Sequence, residues 1–396
     1  MKKKLDSSWP YFSSDEIDIV QSILQSGKVN YWTGEHGKNF EVEFSHYIGT
    51  KYAVALSNGT IAIELALRAL GIGPGDEVIV TPRTFIASVS SIVNVGAVPV
   101  YVDIDPNTQN IDPCSIPAKI TKKTRAIICV HLAGWPCDMD PIIDIAQASN
   151  LYVVEDCAQA HGAKYKGQAV GSMGDIGCWS FCQDKIISTG GEGGMITTNN
   201  KDLWSQIWAL KDHGKNFNKV SENKGSLLFN WVHDSIGSNY RMTEIQAAIG
   251  RLQLKKLDEW NRLRIRNANK IWETFKDFNY IRIPDYKCAS CKNENRSCNN
   301  ECVFAAYKCY VFVEEGLDKR NSLIKTLHQQ GVKCSSGSCS EVYLEKAFEG
   351  LEGQKLILPN AKKLGETSLM FECHPTISEN EIEDISIRIK LALEKG

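Results

Sequence analysis

Three short segments carry side chains whose types and spacing could do chemistry. The first is Ser57-Asn58-Gly59-Thr60, set between the run YAVAL (52–56) and the helical pattern IAIELALRAL. A glycine lets the backbone turn tightly there, and the free N–H groups of a helix start can hold a phosphate. An ordinary helix cap reads the same residues without any ligand. The spacing matches neither GxGxxG nor GxxxxGK, which argues against dinucleotide and Walker-type sites. The second segment, Val154-Glu155-Asp156-Cys157-Ala158-Gln159-Ala160-His161, closes a buried run. A carboxylate at the C-terminal end of such a strand faces the crevice where open α/β sheets bind ligands. It can pair with a protonated ring nitrogen or a metal, or simply cap a turn. The third is Ser180-Phe181-Cys182-Gln183-Asp184-Lys185, followed by Gly190-Gly191-Glu192-Gly193-Gly194 and the strand MITTN. A lysine just past a strand and ahead of a glycine-rich turn has backbone packed close to it. Desolvated, it loses its charge easily and can form a Schiff base, although most lysines are solvated surface groups.

One cofactor needs all three features. Pyridoxal phosphate requires a phosphate cradle, a carboxylate for its pyridinium nitrogen and a Schiff-base lysine. The elements that must position them follow from the pattern of the chain. Short β-branched runs (52–56, 76–80, 99–105, 125–132, 151–157) alternate with helical stretches over the first 200 residues. Such runs, covered on both faces by helices, predict an α/β fold with a mostly parallel sheet. From Thr243 a long segment (EIQAAIGRLQLKKLDEWNRLRIRNANKIWETF) carries apolar residues at helix spacing and leads out of the large domain. Beyond it we expect a strand at 307–313, a helix at 317–330, a strand near 368–373 and a closing helix. The division is a large domain over 14–250 and a small one over 251–396.

Composition is consistent with this. The 396 residues carry 45 Lys+Arg against 47 Asp+Glu, a net charge of -2. A nucleic-acid surface would need a basic excess, so none is expected. No run of about 18 apolar residues occurs, so no membrane span is expected. The basic start, MKKKLDSSWPYF, continues with Asp6 and polar residues where a signal peptide needs an apolar run. Cytoplasmic location and reduced thiols are the expectation for the 14 cysteines, most of them packed as small hydrophobes.

The motifs SNGTIAIELAL, TPRTFIAS, VEDCAQAHGA, GDIGCWSFCQDKIISTGGEGGMITTNN and SNYRMTEIQAAIGRLQL together resemble the DegT/DnrJ/StrS family of nucleotide-sugar aminotransferases. The resemblance runs from about residue 14 to residue 260 and continues more weakly to the C-terminus. It implies the aspartate-aminotransferase-like fold (type I). That is a three-layer sandwich around a mostly parallel sheet, with a smaller C-terminal α+β domain, in a homodimer with shared active sites. It further implies pyridoxal 5′-phosphate bound covalently to Lys185, Asp156 on the pyridine nitrogen, Gln159 near the phenolic oxygen and Phe85 stacked on the ring. Gly59, Thr60 and Ser180 would bind the phosphate, with Asn239 reaching it from the other subunit. Without the resemblance, core packing accounts for Phe85 equally well. Some family members carry histidine in place of the lysine and deoxygenate sugars. Lys185 therefore favours transamination over the dehydratase alternative, and the complete residue set favours an enzyme over a cofactor-binding regulator. The implied reaction takes nitrogen from an amino acid, glutamate by expectation, and delivers it to a nucleotide-linked keto-sugar for polysaccharide or glycoconjugate synthesis. Lys185 shuttles the proton.

The chain departs from the family in three places. Residues 303–310 (VFAAYKCY) and 333–343 (KCSSGSCSEVY) replace segments that shape the sugar pocket in relatives, so the particular sugar does not carry over. Near the N-terminus, Tyr31 and Trp32 either stack on a base or sugar or form a packed aromatic pair. No metal is expected in the active site. A Cys-rich insertion at about 288–302 places Cys288, Cys291, Cys298 and Cys302 in a C-x2-C-x6-C-x3-C pattern. That set either holds structural zinc or consists of packed or adventitious thiols.

Overall fold

The computed structural model describes residues 7–223, 225–226, 228–285, 301–350, 356 and 358–394. The N-terminal part contains β1 (Tyr52–Leu56), β2 (Glu77–Val80), β3 (Val98–Tyr101), β4 (Thr124–Val130) and β5 (Tyr152–Asp156). A small hairpin follows, β6 (Lys164–Tyr165) and β7 (Gln168–Ala169), then β8 (Ile176–Ser180) and β9 (Gly194–Thr198). Seven of these form one sheet in the order β1-β9-β8-β5-β4-β2-β3. Strand β9 alone runs against the rest: it is antiparallel to both β1 and β8, while β8, β5, β4, β2 and β3 pair in parallel. The C-terminal ends of β1, β2, β5 and β8 therefore open on one edge, and all three chemical segments follow those ends.

Alternation along each strand builds the three layers. Val54, Val80, Ile128, Val154, Cys178 and Ile196 pack to one side, with α3 (Gly59–Ala69), α4 (Ala87–Asn94) and α6 (Lys201–Lys211). Their neighbours Ala55, Trp179 and Met195 pack to the other side, under α2 (His36–Ile48) and the first half of α8 (Glu244–Phe275). On that same side Ile79, Ile127 and Val153 pack under α5 (Met139–Ser149). Helix α8 begins where the sequence places it. Thr243 caps it, accepting from Gln246 N while the Gln246 side chain returns to the Thr243 backbone, and Ala247, Leu254, Leu257, Ile271 and Phe275 keep one face buried over 32 residues.

The second half of α8 covers a four-stranded antiparallel sheet. Its order is β10-β11-β13-β12, from β10 (Ile281–Arg282), β11 (Cys309–Val313), β12 (Cys334–Ser335) and β13 (Ser368–Phe371). Helices α9 (Leu317–Gln329) and α11 (Glu379–Leu393) complete this core with Leu323, Leu327, Ile382 and Ile389. The expected strand at 307–313 starts two residues late, because Tyr307 and Lys308 turn toward the large sheet: Tyr307 N donates to Ala133 O at 3.0 Å. Among the described residues no helix is long and apolar enough to cross a membrane.

Candidate active site

A cavity of about 710 Å³ opens on the C-terminal edge of the large sheet. Gly59, Thr60, Phe85, Asp156, Gln159, Ser180 and Lys185 all line it. Residues spread over 127 positions of sequence meet here because the parallel strands end together.

The phosphate-cradle candidate is built by close approach. Asn58 caps α3, its side chain accepting from Ile61 N at 2.9 Å, so the N–H groups of Gly59 and Thr60 stay at the helix mouth. A Cβ at Gly59 would lie 2.6 Å from Ser180 Cβ, and one at Gly194 would lie 2.3 Å from Asn58 O. Only glycine lets the β8 and β9 ends come this near the start of α3.

Asp156 ends β5 as a buried carboxylate held at both oxygens. Ser88 Oγ donates to Oδ2 at 2.7 Å, and Ala158 N donates to Oδ1 at 3.1 Å. Since the serine has one proton and gives it to Asp156, Thr84 Oγ1 must be the donor to Ser88 Oγ at 2.7 Å. Gln159 is pinned by Ala133 N, which donates to Oε1 at 2.8 Å. The preceding residue, Glu155, points to the opposite face. It accepts from the N–H groups of Gly171, Met173 and Gly174 and from His131 Nε2, while His131 Nδ1 accepts from Cys137 N. His131, Glu155 and Cys157 lie close enough to share an ion, but the first two already spend their donor atoms on this buried network.

Lys185 keeps 12% of its side chain exposed. Its Nζ is 3.9 Å from Asp184 Oδ1 and 5.1 Å from the centroid of Tyr307. The Tyr307 hydroxyl donates to Asp184 Oδ2, and Cys182 Sγ lies 3.0 Å from Asp184 Oδ1. Partial burial opposes the charge on Asp184, but Lys185, then Tyr307 and Cys182, outweigh it and hold the carboxyl below its usual range. The lysine's own backbone is anchored too, since Trp9 Nε1 donates to Lys185 O at 2.8 Å.

The remaining expectations divide. Phe85 is 65% exposed and faces the cavity, so core packing does not account for it. Asn239 is outside the cavity of its own chain: it is exposed and bridges Asp212 in an antiparallel contact. Tyr31 is buried against Lys211, whose Nζ sits 4.0 Å from its ring, and Trp32 packs edge-on against Tyr31 and Trp208. That is a packed aromatic group. Of the ten cysteines outside the 288–302 insertion, seven are packed as expected and three are not. Cys129, Cys137, Cys157, Cys178, Cys309, Cys334 and Cys373 are buried, but Cys114 and Cys339 are exposed and Cys182 lines the cavity. Of the proposed zinc set, Cys288, Cys291 and Cys298 lie outside the described residues; Cys302 Sγ accepts from Lys166 N at 3.3 Å. Sequence reasoning passed over Thr84, Ser88, Asp184, Tyr307 and Lys308. Of these, Thr84, Ser88 and Asp184 sit inside motifs already singled out, whereas Tyr307 and Lys308 had been read only as part of the divergent segment 303–310 and the start of a strand.

A mostly parallel α/β domain with a lysine, a strand-end carboxylate and a helix mouth around one cavity defines the transferase class of fold type I. The chain belongs to the DegT/DnrJ/EryC1/StrS aminotransferase family, whose model matches residues 10–390. The family's enzymes depend on pyridoxal phosphate. The chain is similar to a GDP-perosamine synthase of Caulobacter vibrioides, with 48% identity over 253 residues, 63% of this chain and 64% of that protein. It is 34% identical over 384 residues to the spore coat polysaccharide biosynthesis protein SpsC of Bacillus subtilis, covering 96% of this chain and 95% of that one. Among solved structures it resembles an aminotransferase from Psychrobacter cryohalolentis. The TM-score is 0.93 at 50% identity, covering 98% of this chain and 99% of that one.

Proposed function

We propose that this protein is a pyridoxal-phosphate-dependent aminotransferase that takes an amino group from an amino acid, glutamate in our reading, and places it on a nucleotide-linked keto-sugar. The observation that carries this is the convergence of Lys185, Asp156 and the Gly59–Thr60 helix mouth on one cavity. The residues fit the cofactor: the cradle at Gly59 is a space a Cβ would fill, and Asp156 is oriented by two donors at the cavity wall.

Bound there, pyridoxal phosphate supplies an electron sink for the carbon that gives up its proton. The chain's own groups do the rest. Gly59, Thr60 and Ser180 hold the phosphate at the start of α3, where the N–H groups and the helix dipole favour an anion. Asp156 would accept a hydrogen bond from the ring N–H and so keep that nitrogen protonated, while Phe85 would confine one face of the ring. Gln159, fixed by Ala133, would lie on the side of the phenolic oxygen. Lys185 would anchor the cofactor through Nζ, and its amine, when free, would move the proton at the amino donor's α-carbon.

A homodimer fits the surface. Leu228, Phe229, Trp231 and Ile236 are all about four-fifths exposed or more, on the segment that leads to Asn239. A second copy covering them would bring Asn239 to the neighbouring phosphate site. Polysaccharide or glycoconjugate synthesis is the pathway class this reaction serves, in line with the name of the B. subtilis relative.

Two measurements test the reading. Glutamate should yield 2-oxoglutarate in a half-reaction with the loaded protein. Lys185→Ala should remain folded but lack both the Schiff-base absorbance and transamination. Normal turnover by that variant, or no 2-oxo acid from any amino donor, would overturn the assignment, the latter in favour of a cofactor-binding regulator.

A further inference from the structure

We infer that Trp9 is a positioning residue for Lys185: residues 7–10 form a strap anchored on the small domain, and the indole N–H of Trp9 holds the lysine's backbone carbonyl and so fixes where its side chain starts. This rests on the proposed lysine–cofactor reading and names a residue beyond it.

Lys185 lies at the boundary between two differently held pieces of chain. Before it, Gln183 and Asp184 are exposed; after it, Ile186 and Ile187 are buried and Ser188 N donates to Gln253 Oε1 at 2.9 Å. The peptide groups of the lysine itself are held one from each side. Its N–H donates to Cys182 O at 3.1 Å, within the exposed turn. Its carbonyl accepts from Trp9 Nε1 at 2.8 Å, from 176 residues away. The nitrogen of a lysine sits at the end of four methylenes, so a shift of the backbone displaces it directly.

The strap is fastened on the far side. Ser7 N donates to Glu381 Oε1 at 3.1 Å on α11, and Thr376 Oγ1 donates to Ser8 O at 2.9 Å. Thr376 has one hydroxyl proton, so His374 Nδ1 is the donor in its 2.8 Å bond to Thr376 Oγ1. The indole is then held on several sides. It stacks on His374 at 6.3 Å and 19°, meets Trp260 edge-on at 5.0 Å, and lies 4.7 Å from Cζ of the buried Arg264. A cation removed from water attracts a ring strongly, and tryptophan pairs such packing with one directed N–H. Trp260 and Arg264 stand in the middle of α8, between the two domains. Trp9, Arg264 and His374 enclose a small cavity of about 40 Å³ together with Asp184, Tyr307 and Lys308, and the last three also line the main cavity. The strap therefore backs directly onto the site.

The test compares Trp9→Phe, which keeps an aromatic ring but has no N–H, with Trp9→Ala, which loses both. One neutral hydrogen bond corresponds to about a fivefold change in an equilibrium or a rate. In the full chain without added cofactor, Trp9→Phe should speed amide hydrogen exchange at Lys185 and Ser188 by about fivefold, leaving Val153 and Val154 in β5 unchanged. In the loaded protein it should slow the amino-donor half-reaction at saturating donor by about fivefold, with the half-saturating donor concentration within about twofold of the parent's. Trp9→Ala should exceed both effects and also lower the thermal midpoint. A merely structural role would lower thermal midpoint and cofactor occupancy without this loss of saturating rate in Trp9→Phe. Exchange and saturating rate both within about 1.5-fold of the parent's in Trp9→Phe overturn the inference, and so does faster exchange with an unchanged rate. A parent protein without Lys185-dependent absorbance overturns the cofactor reading instead, and the exchange measurement then decides by itself whether Trp9 holds the Lys185 backbone.

Discussion

Ser88 Oγ donates to Asp156 Oδ2 at 2.7 Å, so a hydroxyl in the first turn of α4 fixes the carboxylate that ends β5. The bond is buried, it is backed by Thr84, and it joins residues 68 positions apart. A hydrogen bond to a charged group contributes about 1.5–3 kcal/mol. Ser88→Ala should therefore leave the protein folded and cofactor-loaded but slow the amino-donor half-reaction by about tenfold, roughly 1.4 kcal/mol of barrier. Single-turnover absorbance changes measure this directly, and an unchanged rate would show that Asp156 needs no such support.

Gly59→Ala addresses the phosphate cradle. The added methyl would stand 2.6 Å from Ser180 Cβ and 3.1 Å from Ser180 Cα, and β8 cannot yield easily inside a paired sheet. Overpacking of this kind costs about 1–3 kcal/mol. Cofactor affinity should fall by about tenfold or more in an equilibrium titration. Gly73→Ala is the control, since its methyl would meet only Val95 O at 3.5 Å. Equal affinities in the two variants would remove the phosphate from this helix mouth.

His161 makes stability depend on pH. Its ring is fully buried against Trp179 and Phe181; burial, then the charges of Lys185 and Arg264, pushes its pKa down to about 3 from 6.5. Below pH 6.5 the unfolded chain binds a proton that the folded chain refuses. Stability must therefore fall as the pH drops from 6.5 toward 3. By pH 5 this one residue should remove about 2 kcal/mol relative to pH 7. His161→Leu should flatten the decline in thermal midpoint between pH 7 and 5. A decline as steep as the parent's would assign the sensitivity to other groups, His374 first, which burial likewise holds near 3.

The residue pattern alone indicated most strands of the large sheet, the long helix α8 and the order of the chemical segments. Short β-branched runs are legible because strands buried on both faces must be apolar throughout, as in Val78, Ile79 and Val80. Helix α8 is legible from its apolar spacing and from Thr243 and Gln246 at its start. Gly59, Asp156 and Lys185 stand out because each lies at or just past the end of a strand, where an α/β sheet presents its ligands.

What those residues touch was decided only by the tertiary structure. Phe85 and Phe181 have the same side chain, yet one faces the cavity and the other is wholly buried. Cys178 and Cys182 lie four residues apart, and only the second is partly exposed. Tyr307 reaches Asp184 because the start of β11 is tied to Ala133 in the large domain, a contact that no local pattern encodes. Periodicity reports which face of an element is apolar. Which polar groups meet at the edge of the sheet depends on strand order and on chain returning from far away, and these are settled only when the whole core packs.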